Sequence, residues 1–158
     1  MQVRALSEHD VELVCRHREA MFRDAGCSED VLSEMTPHFR DWVRPRLRDR
    51  SYFGFVISDN AQPVAGIGLM LIDWPPHPLH PTTDKRGYVL NVYVEPEYRR
   101  RGLAHELMQL ADAEFAKRGV VFAVLHATEK GRGVYAGLGW SATTEMSKSV
   151  PASAADRD

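Results

Sequence analysis

The stretch VYVEPEYRRRGLAHELM, from Val92 to Met108, decides how the rest of the chain is read. Its first residues are β-branched and aromatic and mark the end of a strand. Leu103, Leu107, Leu110, Ala111 and Phe115 then recur at helical spacing. Between strand and helix stands a basic turn, Arg99, Arg100 and Arg101 followed by Gly102. Such a junction leaves several backbone N–H groups unpaired at the positive end of a helix dipole, where proteins hold phosphates. Three cations are unfavourable there unless an anion compensates them. The turn therefore predicts a site for a pyrophosphate-bearing ligand.

That basic turn is local. The chain carries 20 Lys and Arg against 22 Asp and Glu, a net charge of -2 with His neutral. This balance argues against nucleic acid or a membrane surface as an electrostatic partner. Its 158 residues suit one domain, expected over residues 1–150, with a disordered tail over 151–158. Cys15 lies in a helical pattern and Cys27 in a break, so both are expected as free thiols in a reducing, cytoplasmic setting. No apolar run approaches membrane-spanning length. His77, His80, Asp73 and Asp84 match no defined ligand spacing, so a polar loop and no metal is the expectation.

Outward from the turn, Gln2–Leu6 reads as a strand and Ser7 with Asp10 as a capping box opening a helix. Val11, Val14, Cys15, Arg18, Met21 and Phe22 keep helical spacing up to Gly26. A second helix starts at Ser28 or Glu29, and Pro45 is expected to kink or interrupt it. Residues 51–58 and 63–72 form a hairpin pattern, in which Gly66 and Gly68 signal a bulge or a close backbone approach. The proline-rich stretch 74–86 is expected as a loop, placed as a lid or substrate loop. Residues 87–94 form the next strand, and Gly119 ends the helix that follows the turn. Residues 120–125 read as a buried strand, 129–138 as a short helix, and Gly139-Trp140 as the lead into a last strand. The order β, α, α, β, β, β, α, β, α, β predicts one mixed sheet with helices on both faces.

These residues resemble the GCN5-related N-acetyltransferase (GNAT) superfamily. Its signature, Arg or Gln, two residues, Gly, one residue, Gly or Ala, is met by Arg99-Arg100-Arg101-Gly102-Leu103-Ala104. The preceding Val94-Glu95-Pro96-Glu97-Tyr98 matches the usual lead-in. Val134–Trp140 is similar to the family's second segment, a tyrosine, three residues, a glycine and an aromatic. The resemblance covers residues 52–140 by motif and the first fifty by topology. It implies an α/β (α+β) fold with a mostly antiparallel, twisted sheet, splayed between its two central strands.

The resemblance also implies a chemistry. Acetyl-CoA would be the cosubstrate, its acetyl group moving directly to a primary amine. The N–H groups of Arg100, Arg101, Gly102, Leu103, Ala104 and His105 would cradle the pyrophosphate, with Arg99 adding charge. The backbone of Val92, Tyr93 and Val94 would pair with the pantetheine arm as an added strand. Tyr135 would protonate the leaving thiolate, and a Val92 N–H would serve the oxyanion. Asn91 stands where many relatives carry a carboxylate or its water, and would orient a water or the amine. Glu95, Glu97 and His126 are the reserve bases. Trp42, Phe53 and Trp74 either line the acceptor side or pack the core. Neither cysteine suits an acyl-enzyme nucleophile. The acceptor, a small molecule or a peptide amine, stays open, and so does a homodimer. The rival readings are an acyl-CoA sensor without turnover, and an acyltransferase with a longer acyl chain or a hydroxyl acceptor.

Overall fold

The computed structural model describes residues 1–153. Five strands form one sheet in the order β1 (Gln2–Ala5), β2 (Tyr52–Asp59), β3 (Gln62–Asp73), β4 (Lys85–Val94) and β5 (Ala123–Leu125). The first four pair antiparallel, and β5 joins β4 in parallel. Two helices, α1 (Val11–Asp24) and α2 (Glu29–Asp49), cover one face, and α3 (Leu103–Lys117) covers the other. A short α4 (Arg132–Gly137) follows β5.

Strand alternation divides the core in two. Phe53, Ile67, Leu69 and Val89 meet Leu103, Leu107, Ala111 and Phe115 of α3. Tyr52 turns the other way, to Val14, Cys15, Phe39, Val43 and Leu47 of α1 and α2. The entry to α1 is the expected capping box: the Ser7 N–H donates to Asp10 Oδ2 at 2.7 Å, and Arg4 pairs with the same carboxylate.

Four expectations are corrected. Helix α2 runs unbroken through Pro37 and Pro45. Both prolines are exposed, as are Ser33 and Asp41, whose carbonyls lose the i+4 donor. Water can satisfy them, while the buried stripe Leu32, Thr36, Phe39, Val43 and Leu47 holds the helix together. The strand expected over 120–125 is only Ala123–Leu125 and is half-buried, because Val120 N–H closes back on the Phe115 carbonyl at 2.9 Å. No strand forms over residues 141–153: residues 141–150 are irregular and exposed, and their apolar residues, Ala142, Met146 and Val150, come only every fourth position. The loop between β3 and β4, expected over the site, sits instead where β4 is paired to β5 and lines none of the open cleft described below. It is pinned by fully buried His80, which accepts from Arg86 Nε at 2.9 Å and is bonded through Nδ1 to the Thr83 carbonyl. Of the tail expected at 151–158, residues 151–153 are exposed and irregular, and 154–158 lie outside the described residues.

Candidate active site

The site begins with one extra residue in β4. Gly68 lies opposite Leu90, but Gly66 lies opposite Tyr93, so Ile67 faces both Asn91 and Val92. Asn91 takes φ 53, the left-handed conformation that asparagine tolerates better than most residues. The bulge shifts the alternation. Val92 and Val94 join the α3 side of the core, while Tyr93 packs on His17 of α1 with ring centroids 5.1 Å apart. The glycines leave room for side chains rather than for backbone. A Cβ on Gly66 would stand 2.8 Å from His17 Nδ1, and one on Gly68 would stand 1.8 Å from the Tyr52 hydroxyl.

On its other edge, β4 pairs with β5 only through Gly87–Val89. Beyond Val89 the strands part, and a cleft of about 370 Å³ opens beside the bulge. Arg18, Phe22, Asn91, Val92, His126 and Tyr135 are among its walls.

Past Val94, Pro96–Tyr98 form a 3-10 turn, and the chain then doubles left-handed at Arg100 (φ 59) and Gly102 (φ 81). Glu106 is the first residue to bond back, its N–H reaching the Gly102 carbonyl at 3.0 Å. The N–H groups of Arg100, Arg101, Gly102, Leu103, Ala104 and His105 have no acceptor among the described residues. They form a continuous run of donors at a helix start. The three arginines differ. Arg99 pairs with Asp24 at 2.5 Å and donates to the Val94 carbonyl at 2.9 Å, so its charge is already met. Arg101 lies over the Tyr98 ring at 4.9 Å, and Arg100 is exposed; neither forms an ion pair among the described residues. Leu103 and Tyr93 bury their side chains, which leaves only their backbones for a ligand.

At the bulge, three side chains distant in sequence form a chain of hydrogen bonds. Arg18 Nη1 donates to Asn91 Oδ1 at 2.7 Å, and Asn91 Nδ2 donates to the Tyr52 hydroxyl at 2.7 Å. Burial holds the Tyr52 phenol well above its usual range, so it stays a neutral hydroxyl. The Arg18 guanidinium lies over Phe22 and Phe39, at 4.9 and 4.6 Å. Burial pulls its pKa down. Arg18 and Tyr52 escaped the sequence reading as functional residues. Arg18 did leave a trace, as a charged residue standing in the apolar register of α1.

Tyr135, on α4, is half-buried in the cleft wall with Trp140 against it edge-on at 6.5 Å. Burial raises its pKa, which keeps the phenol protonated near neutral pH. His126 Nδ1 is paired with the Tyr88 hydroxyl, and both line the cleft. Glu95 and Glu97 do not line it, and neither do Trp42, Phe53 or Trp74, which pack elsewhere. Among the described residues, no group of three or more His, Cys, Asp or Glu is placed to hold a metal, and no helix is long and apolar enough to cross a membrane.

Comparison with known proteins places this geometry. The model of the acetyltransferase (GNAT) family matches residues 14–140. A GCN5-related N-acetyltransferase of Ralstonia eutropha JMP134 is 60% identical, with 94% of this chain and 97% of that one covered and a TM-score of 0.93. A predicted acetyltransferase of Clostridium acetobutylicum, crystallised with acetyl-CoA, shares the fold at 23% identity, with 94% and 95% covered and a TM-score of 0.86. No curated protein matches the chain.

Proposed function

Because the chain belongs to the acetyltransferase (GNAT) family, we propose that it transfers the acetyl group of acetyl-CoA directly to a primary amine. The observation that carries this reading is the joint presence of six free N–H groups at Arg100–His105 and an unpaired β4 edge leading from them into the cleft. Those residues fit acetyl-CoA. The donor run and Gly102 suit the pyrophosphate, with Arg100 and Arg101 as counter-charges and Arg99 as a brace for the turn. Val92, Tyr93 and Val94 offer backbone groups to an extended pantetheine arm. The thioester supplies the activated acetyl group when bound.

Tyr135 gives its proton, or a hydrogen bond, to the departing thiolate, a role suited by its burial and raised pKa. The Val92 N–H serves the oxygen that becomes anionic during attack. Asn91 accepts from Arg18 and donates to Tyr52, which holds Arg18 in place, and the remaining N–H of its amide is left to orient a water or the amine. His126 lines the cleft with Nε2 free of partners among the described residues, and that ring nitrogen is placed to take the amine proton. Direct transfer fits the thiols. Cys15 is buried beneath α2, and neither cysteine lines the cleft.

Titration of acetyl-CoA into the protein, combined with thiol release across a panel of amines, tests the reading. Binding with release is expected for at least one amine. Tight binding with no release for any amine would instead identify a sensor. Gly102→Val, which forces a branched side chain into φ 81, should weaken the binding.

A further inference from the structure

The arginines of the fold are unevenly matched. Arg4, Arg23, Arg40, Arg99 and Arg118 each meet a carboxylate within 2.7 Å. Arg18, half-buried in the cleft wall, meets none among the described residues. Its single hydrogen bond runs from Nη1 to the neutral amide oxygen of Asn91. Its Nε is buried without a partner, and Nη2 has no partner among the described residues. No Asp or Glu lines the cleft. Taking a guanidinium out of water without a counter-charge is costly, and in an open cleft an arriving anion can offset that cost.

Its position is well determined. Phe22 and Phe39 clamp the guanidinium, and Asn91 is fixed by the bulge and by Tyr52. The anion it awaits is not the pyrophosphate, because the donors suited to that group begin at Arg100, beyond the end of β4. Arg18 is bonded to Asn91, further back along the strand and beside Tyr135 in the cleft wall.

We propose that Arg18 recognises a carboxylate on the acceptor, so that the preferred substrates are amines that also carry a carboxylate, as free amino acids do. A guanidinium with an open nitrogen gives a charge-assisted hydrogen bond to such a group. The same cation, in a cleft with no acidic wall, repels polycationic acceptors such as polyamines. This inference rests on the acetyl-transfer reading above and narrows its acceptor.

The test pairs each free amino acid with its own carboxamide and measures thiol release from acetyl-CoA by the wild type, Arg18→Gln and Arg18→Lys. At least one acid is expected to exceed its amide in kcat/KM by about 100-fold, the scale of one desolvated charge-assisted hydrogen bond. Arg18→Gln should bring the pair to near parity, and Arg18→Lys should keep part of the preference. Equal rates for acid and amide in the wild type overturn the proposal. So does a loss in Arg18→Gln that slows acid and amide alike, which would assign Arg18 to the reacting carbonyl or to the fold. If no amine releases thiol although acetyl-CoA binds, the transfer reading fails separately. The carboxylate inference is then decided by calorimetry of N-acetyl amino acids against their amides in the presence of coenzyme A. Tighter binding of the acids, lost in Arg18→Gln, supports it, and equal or absent binding overturns it. Should Arg18→Gln fail to fold, Arg18→Lys and the wild-type acid-to-amide ratio decide the matter.

Discussion

The turn at residues 99–105 and the bulge at Asn91 are fed by the same strand, yet they are built differently. The turn draws its donors, its left-handed residues and its spare charge from neighbours in sequence, and it lies at the surface. The bulge joins Arg18 from α1, Tyr52 from β2 and Asn91 from β4, two of them buried. The exposed residues of the turn, Arg100, Arg101 and Gly102, can thus be altered without disturbing the core, whereas the bulge is part of it. Variants at the turn should change affinity alone. Variants at the bulge should change stability and acceptor use together.

Tyr135 lines the cleft together with Asn91 and Val92 and provides the sharpest test. Tyr135→Phe should lower kcat by about 100- to 1000-fold, the range of a lost general acid. Coenzyme A affinity and melting temperature should hardly move. Turnover at the wild-type level in single-turnover assays would reduce Tyr135 to packing beneath the thioester.

His17 comes next, and it belongs to the bulge end. Burial under Gly66 and Tyr93 pushes its pKa down to about 4. The folded state therefore keeps it neutral, while the unfolded chain binds a proton near pH 6.5. Stability is full above that value and is lost as pH falls through about 4, by up to about 3 kcal/mol. Urea unfolding between pH 7 and 4 should show this loss, and His17→Leu should flatten it. An unchanged acid profile in that variant would place the acid sensitivity in other groups.

The same division explains what the sequence disclosed. Arg99 to Ala104 announced their structure because the donors, the left-handed residues and the spare charge of the turn are local, and only the Arg99–Asp24 pair reaches across the fold. The sheet with helices on both faces was legible in the order of the elements and in the apolar stripe on α3. Arg18 was visible only as a charge in an apolar register, since its partner lies 73 residues away. Pro45 misled because a local proline penalty of about 3 kcal/mol is outweighed when the helix packs a long buried stripe, Leu32 to Leu47, into the core. The missing last strand misled differently: Gly139-Trp140 signalled a start, but Ser141 to Val150 supplied only Ala142, Met146 and Val150, and both large ones stay exposed.

At the turn, Arg101→Glu exchanges a spare cation for an anion beside the free donors. Coenzyme A affinity should fall by about 10- to 100-fold, while the melting temperature stays near that of the wild type, because Arg101 is exposed and contacts only the Tyr98 ring. A marked loss of stability would break the claim that this end is separable from the core.

Tyr52→Phe carries the smallest expected effect and bears most directly on the comparison. Removing one hydroxyl leaves Asn91 Nδ2 buried without an acceptor, at a cost of about 1–2 kcal/mol. In a chain of this length that is about 2–8 °C of Tm. Asn91 is then free to rotate away from Arg18, and KM for a carboxylate-bearing acceptor should rise while coenzyme A binds as before. A drop in Tm with unchanged acceptor KM would mean that the hydroxyl serves the core alone, and that the phenylalanine clamp suffices to hold Arg18. Loss of coenzyme A affinity would be the more damaging result, because it would tie the two ends of β4 into a single unit.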